Sequence, residues 1–181
     1  MPFLVKSRRT SVEKLRAQYP GASVVDVTSR GPEPWVRFSP FFPHGGIPVP
    51  FSPGSTAMSV EGIWQGLKVF EKADVDPATL QIATMKGIKR TVRTFGKVLG
   101  HRAGLTGDLL LPYAEARRAI YVPTYRWVLE HKFTAEVAAL RKLGEGGSTV
   151  LLLDYETNCD VDDLSRPLSH ASLVAQLLGE V

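Results

Sequence analysis

The sequence predicts an α+β fold: a mostly helical single domain with a small β-sheet. Three observations carry this. The 181 residues are 44% hydrophobic and 22% charged, the mix of a globular chain long enough to bury a full core. Two short runs, residues 23–28 and 149–153, have the length and the β-branched or apolar composition of strands. From Ser59 onward, apolar residues recur mainly at i, i+3 and i+4, the helical period.

In chain order, Thr10-Ser11-Val12-Glu13 has capping-box spacing and opens a short helix to about Gln18, which Tyr19-Pro20-Gly21 ends. The strand over 23–28 follows. Residues 31–53 hold seven prolines and three glycines, a density no regular helix survives. The aromatics Trp35, Phe38, Phe41 and Phe42 make this an ordered loop region, with residues 35–38 and 47–49 as strand candidates. Ser59 is the expected N-cap of a helix reaching about Lys72. Asp76-Pro77 starts the next, with proline at its first position. Ile88, Val92, Phe95 and Leu99 then recur at helical spacing opposite Lys86, Lys89, Arg90, Arg93 and Lys97, which predicts an amphipathic helix with a basic face, ended by Gly100. Residues 113–121 read as a short helix, and Thr124 as the cap of a long one over 125–143. The strand over 149–153 leads into an acidic loop, 154–163, and Ser169 caps a final helix over 171–178. The sheet is expected from the strands near residues 24, 36 and 151.

Composition narrows the function classes. The net charge is +4 with pI about 9.3, a mild basicity that suits a phosphate-bearing ligand or a nucleic acid. The single cysteine, Cys159, excludes an internal disulfide and a cysteine-cluster metal site. No apolar run could span a bilayer, and the start lacks the apolar region of a signal peptide, so a cytoplasmic protein without membrane contact is expected. There is no Gly-rich phosphate loop and no nucleophile elbow, and no cofactor is expected. His44, His101, His131 and His170 are scattered. His170, which follows the acidic loop, is the best placed of them.

The residues that could carry chemistry centre on the helix after Ser59. Glu61, Gln65 and Lys68, at i, i+4 and i+7, would line one face with Trp64 beside them. A pair formed by Glu61 and an acid of the loop (Asp154, Asp160, Asp162 or Asp163) would supply what N-glycoside cleavage needs: one carboxylate for water or for an oxocarbenium-like transition state, and a second group for the leaving base. In the plainer alternative Glu61 pairs with Lys68 or with an arginine of the basic helix, and the loop acids solvate a turn. Residues 86–102 hold seven basic side chains, counting His101, and no acid. They would form either a solvated face or a phosphate-neutralising one.

Two stretches resemble a known family. Phe38-Ser39-Pro40-Phe41-Phe42-Pro43 is similar to the "FSNFYP"-type opening of the NADAR domain, the YbiA-like N-glycosidase superfamily. Glu61, Gln65 and Lys68 match the Glu, Gln and Lys of that family's "SEHYFQAQKF"-type helix. The later order is similar too: Arg93 and Gly96 in a basic segment, Lys132-Phe133 on a helix, then a strand, an acidic loop with Asn158 and Asp160, and a terminal helix. The chain differs at Pro40, where the family has Asn, and at Gly62, where it has His, so it resembles a divergent member over residues 35–178. The resemblance implies a YbiA-like fold and a hydrolase that cleaves an N-glycosidic bond of a phosphorylated riboside or an ADP-ribosyl adduct. It implies Glu61 and Asp160 as catalytic residues, and Trp64, Gln65, Lys68, Arg93 and Asn158 as substrate-binding ones, with no metal. The alternative is a non-catalytic nucleotide- or nucleic-acid-binding module using the same pocket and the basic segment 86–102.

Overall fold

A computed structural model describes residues 3–179. The architecture is α+β, with small sheets among short helices. The chain gathers into two compact units: residues up to Ser39 together with those from Leu129 onward, and residues Pro40–Val128. Among the described residues no helix is long and apolar enough to cross a membrane.

The first unit is built on a three-stranded parallel sheet. Strand β8 (Val150–Asp154) is central, flanked by β1 (Phe3–Ser7) and β2 (Ser23–Asp26). All five residues of β8 are buried, as expected for a parallel strand covered on both faces. Helix α1 (Val12–Gln18) joins β1 to β2. Its Leu15 packs on Leu151 and Leu153, with Leu4, Tyr19 and Val24 around them. The cap is Ser11, whose hydroxyl accepts from the Lys14 N–H, one residue later than the capping-box reading placed it. Side chains alternate along a strand, so Asp154 points to the opposite face, where it meets His170 at the start of α8 (His170–Gly179).

Three expectations are corrected here. The third strand of the parallel sheet is β1 and not the run near residue 36. Residues Trp35–Phe38 form a 3-10 turn instead of a strand. Prolines 32 and 34 have no N–H for a ladder, and the amides after them close short turns: Val36 to the Pro32 carbonyl, Arg37 to Pro34. Trp35 stacks parallel to Phe38, and fully buried Phe38 packs on Phe133 at 4.6 Å. The long helix expected over 125–143 is divided at Phe133, which leaves helical geometry (φ −120°, ψ 22°), is fully buried and separates α6 (Val122–Lys132) from α7 (Thr134–Leu143) in the chain. On α7, buried Glu136 pairs with Arg37.

The second unit holds an antiparallel sheet of β5 (Lys68–Phe70), β6 (Val98–Arg102) and β7 (Leu110–Leu111), and a two-residue ladder of β3 (Ile47–Pro48) with β4 (Thr56–Ala57). Helix α2 (Val60–Gly66) packs on α3 (Pro77–Leu80), whose cap Asp76 accepts from the Ala78 N–H as expected. Close approach is permitted by Gly62 and Gly66, one turn apart. A Cβ on Gly62 would come within 3.0 Å of the Ser59 hydroxyl and 3.2 Å of the Thr79 carbonyl; one on Gly66 would fall 2.1 Å from Leu80. This is a physical reason for glycine where the resembled motif carries histidine.

Three further expectations fail here. Helix α2 stops at Gly66, not near Lys72, because residues 68–70 pair with β6. The amphipathic basic helix does not form. Only α4 (Val92–Phe95) is helical, and Gly87 and Gly96 interrupt the chain at φ +76° and +81°. Val92 (62% exposed) and Leu99 (50%) are not a core stripe, whereas Arg90, on the expected solvent face, is buried. Thr124 is no cap: it is buried inside α6, into which α5 (Tyr113–Ala116) and a π-helical turn, Arg117–Tyr121, run without a break. Pro123 has no N–H to give the preceding turn, and the helix widens there.

The Asp154–His170 pair should dominate the pH dependence of stability. His170 Nδ1 lies 3.0 Å from Asp154 Oδ2 and Nε2 lies 2.9 Å from the Val27 carbonyl, so both nitrogens donate and the ring is an imidazolium. Burial opposes that charge, but the Asp154 charge and hydrogen bonds hold the His170 pKa above its usual value. Burial likewise works against the Asp154 carboxylate, yet His170 and Ser169 bring it down to about 2. The His170 contribution is therefore full below an unfolded pKa of about 6.5 and is lost as pH rises through the raised folded value. The Asp154 contribution is full above about 3.9 and is lost as pH falls towards 2. Asp154→Asn strands the imidazolium and should cost about 3–5 kcal/mol in urea denaturation at pH 6, less above the folded pKa of His170.

Candidate functional site

The polar cluster of the second unit is organised by one amide. Ser59 caps α2 by accepting from the Gly62 N–H, and the Pro40 carbonyl accepts from the Glu61 N–H at 2.8 Å. Pro40, which replaces asparagine in the resembled motif, thus serves α2 through its backbone. One turn on, Gln65 Nε2 donates to Glu61 Oε1 at 2.8 Å. Gln65 Oε1 accepts from Lys68 Nζ at 3.2 Å and from the Arg90 N–H at 3.1 Å. Glu61 and Gln65 are both buried. Arg90 closes the arrangement from beneath: its terminal nitrogens donate to the carbonyls of Gln65, Lys68 and Asp74, and its guanidinium lies over the rings of Phe70 and Phe95.

Beside this cluster is a cavity of about 290 Å³, lined by Trp64, Lys68, Val98, Leu99, Gly100, His101 and Tyr113. The Trp64 indole stacks on the His101 imidazole at 3.7 Å and meets the edges of Tyr113 and Tyr121. The π-helical turn places Tyr121, and with it Arg117, which is buried, donates to the Tyr113 hydroxyl at 2.8 Å and lies over that ring. Lys68 Nζ is 6.0 Å from the Trp64 ring, at the junction between the cavity and the Glu61–Gln65 pair.

Electrostatics separate the two nitrogen bases of the cavity. Burial lowers the Lys68 pKa, partly offset by the Glu61 charge. Burial and the Lys68 charge push His101 down to about 3, so its imidazole is neutral at physiological pH. Both His101 ring nitrogens are buried without a hydrogen-bond partner of good geometry among the described residues. An unfolded His101 takes up a proton below about pH 6.5 and the folded one does not, so this residue subtracts stability as pH falls from 6.5 towards 3.

Of the residues singled out in the sequence, Glu61, Trp64, Gln65 and Lys68 come together, although Lys68 reaches the cluster from β5 and not from the helix. Arg93 is exposed on α4 and takes no part in the network. Asn158 and Asp160 belong to the other unit and serve their own loop. Buried Asn158 donates to the carbonyls of Asp163 and Arg166 and accepts from the Asp160 N–H. Asp160 is exposed and accepts from the Asp162 N–H. No group of three His, Cys, Asp or Glu among the described residues could hold a metal ion. The sequence reading missed His101, Tyr113 and Arg117 as site residues. Taking 88–99 as a helix hid β6, and with it the strand that faces His101 to Trp64.

Gln65→Leu tests the organising role of the amide. It would remove the hydrogen bonds that Gln65 makes to the Glu61 carboxylate, the Lys68 ammonium and the Arg90 N–H. A loss of about 1–3 kcal/mol is expected in chemical denaturation. Gln65→Glu should also destabilise, by setting a second carboxylate against Glu61.

Searches of curated proteins and of solved structures find no match to this chain. Residues 7–174 match a family of unknown function, DUF6939, across both units described above, and the chain belongs to that family.

Proposed function

We propose that the protein is an N-glycosidase-like hydrolase acting on a phosphorylated riboside or an ADP-ribosyl adduct, with its reaction centre in the second unit. The observation that carries this reading is the buried Glu61 carboxylate, oriented by Gln65, next to an aromatic-walled cavity that Lys68 enters. The match of Glu61, Gln65 and Lys68 to the N-glycosidase helix motif supports it as well.

Trp64 offers an indole face for the leaving base, as aromatic rings do for nucleobases. The cavity volume is near the lower end of the range for small-molecule sites, about 300–1,000 Å³. In the reaction the C1′–N bond breaks and a C1′–O bond forms to water. The Glu61 carboxylate stabilises the oxocarbenium-like transition state and takes the proton of the attacking water. The leaving nitrogen needs a proton. Asp160 is engaged in its own turn, so the reading assigns the donor role to Lys68, whose ammonium burial makes a stronger acid than that of an exposed lysine. The Gln65 amide fixes the distance between the base and the acid.

The test is release of free base from an ADP-ribosylated oligonucleotide or from phosphorylated N-ribosides, followed by chromatography. Glu61→Gln should lower turnover by about 10²–10⁴-fold while leaving substrate affinity largely intact. Lys68→Met should remove the basic limb of the kcat/KM profile, which in the native protein falls below the usual lysine range. Salt-sensitive binding without turnover would favour the binding module instead, and unchanged turnover in Glu61→Gln would remove Glu61 from the mechanism.

A further inference from the structure

The first unit contains a second cavity, of about 500 Å³, at the C-terminal end of its parallel sheet. Parallel pairing in register brings Ser7, Asp26 and Asp154, the last residues of β1, β2 and β8, to the same edge. In open parallel sheets this edge is where ligands bind, because the loops leaving the strands diverge there. The lining supplies three guanidinium groups, Arg8, Arg9 and Arg16, against a single carboxylate, Asp26. The apolar walls include Trp35 and Val12, and Val12 is 40% exposed.

The arginines are oriented but not neutralised. Arg8 Nε donates to Asp26 Oδ2 at 3.1 Å, and Asp26 also accepts from Thr28 through its other oxygen. The terminal nitrogens of Arg8 have no partner among the described residues. Arg9 is held by the Tyr155 carbonyl through Nη1 and by the Tyr155 ring, which leaves Nη2 unengaged. Arg16 forms no ion pair or hydrogen bond through its side chain among the described residues. Side chains pinned at one atom, with planar donor edges left over, match the bidentate geometry of phosphate oxygens. An excess of positive charge in a concave site selects anions over cations. The Trp35 indole adds a planar surface of the kind that stacks on a ring.

We propose that this cavity binds a small phosphorylated compound carrying a planar ring, of the nucleoside monophosphate class, with the phosphate on Arg8, Arg9 and Arg16 and the ring against Trp35. The site is separate in sequence and in unit from the Glu61 cluster and does not depend on the glycosidase reading.

The test is calorimetric titration of the full chain with adenosine 5′-monophosphate and, separately, with inorganic phosphate. Arg9 and Arg16 are exposed, so the double variant R9Q/R16Q should keep the fold, with circular dichroism melting as the check. It should weaken AMP binding about tenfold or more. Trp35→Leu should weaken AMP and leave phosphate binding unchanged. Loss of AMP binding in K68M but not in R9Q/R16Q would overturn the proposal by moving the ligand to the Glu61 cluster. No AMP or phosphate binding at millimolar concentration would also overturn it, as would binding only of a single-stranded oligonucleotide with steep salt dependence. Equal loss of AMP and phosphate in Trp35→Leu would overturn the ring subsite.

Discussion

The Gln65 side chain is the constraint on which the second unit depends. Its three hydrogen bonds link helix α2, strand β5 and the loop at Arg90. An amide is suited to this because it can donate and accept at once, so it satisfies a carboxylate on one side and an ammonium and a backbone N–H on the other. A charged residue could not do both. The amide thus stands between an acid and a cationic group, hydrogen-bonded to both.

Both units bury charge, and they do so differently. Arg90 is satisfied almost entirely by backbone carbonyls and aromatic faces, which makes it a brace for the β5 turn. Asp154 and His170 form a compact pair completed by Ser169 and the Val27 carbonyl. Ser169 donates to Asp154 and not to the imidazole, so these three residues are a structural tie between β8 and α8 and not a nucleophilic triad. His101 is the opposite case, a neutral ring whose nitrogens have no partner of good geometry among the described residues and whose face stacks on Trp64. Buried polar groups without partners are costly and uncommon, and this one lines a cavity.

Elements governed by local chemistry were legible in the sequence. The Asp76-Pro77 start of α3, the Ser59 cap of α2, the apolar strand read over 149–153 and observed at Val150–Asp154, and the acidic loop after it all rest on neighbours a few residues away. The errors have local and long-range causes. Residues 88–99 have a helical spacing of apolar residues, yet two glycines at positive φ and a strand pairing with β5 outweigh it. Residues 35–38 look β-forming, but the preceding prolines close a 3-10 turn. Phe3–Ser7 carried too little local signal to be read as a strand, since its partner lies more than a hundred residues away.

The sequence by itself determined the α+β class, the α2 strip of Glu61, Trp64 and Gln65, and the basic balance of the chain, because these follow from periodicity, capping and composition. Only the tertiary structure decided that Lys68 meets Gln65 from a strand, that Arg90 is an internal brace, and that His101 and Tyr113 complete the wall around Trp64. It also placed Arg8, Arg9 and Arg16 around one cavity. The reason is the same in each case: long-range pairing in a sheet fixes which residues become neighbours, and strand partners leave no mark in the local pattern of the chain.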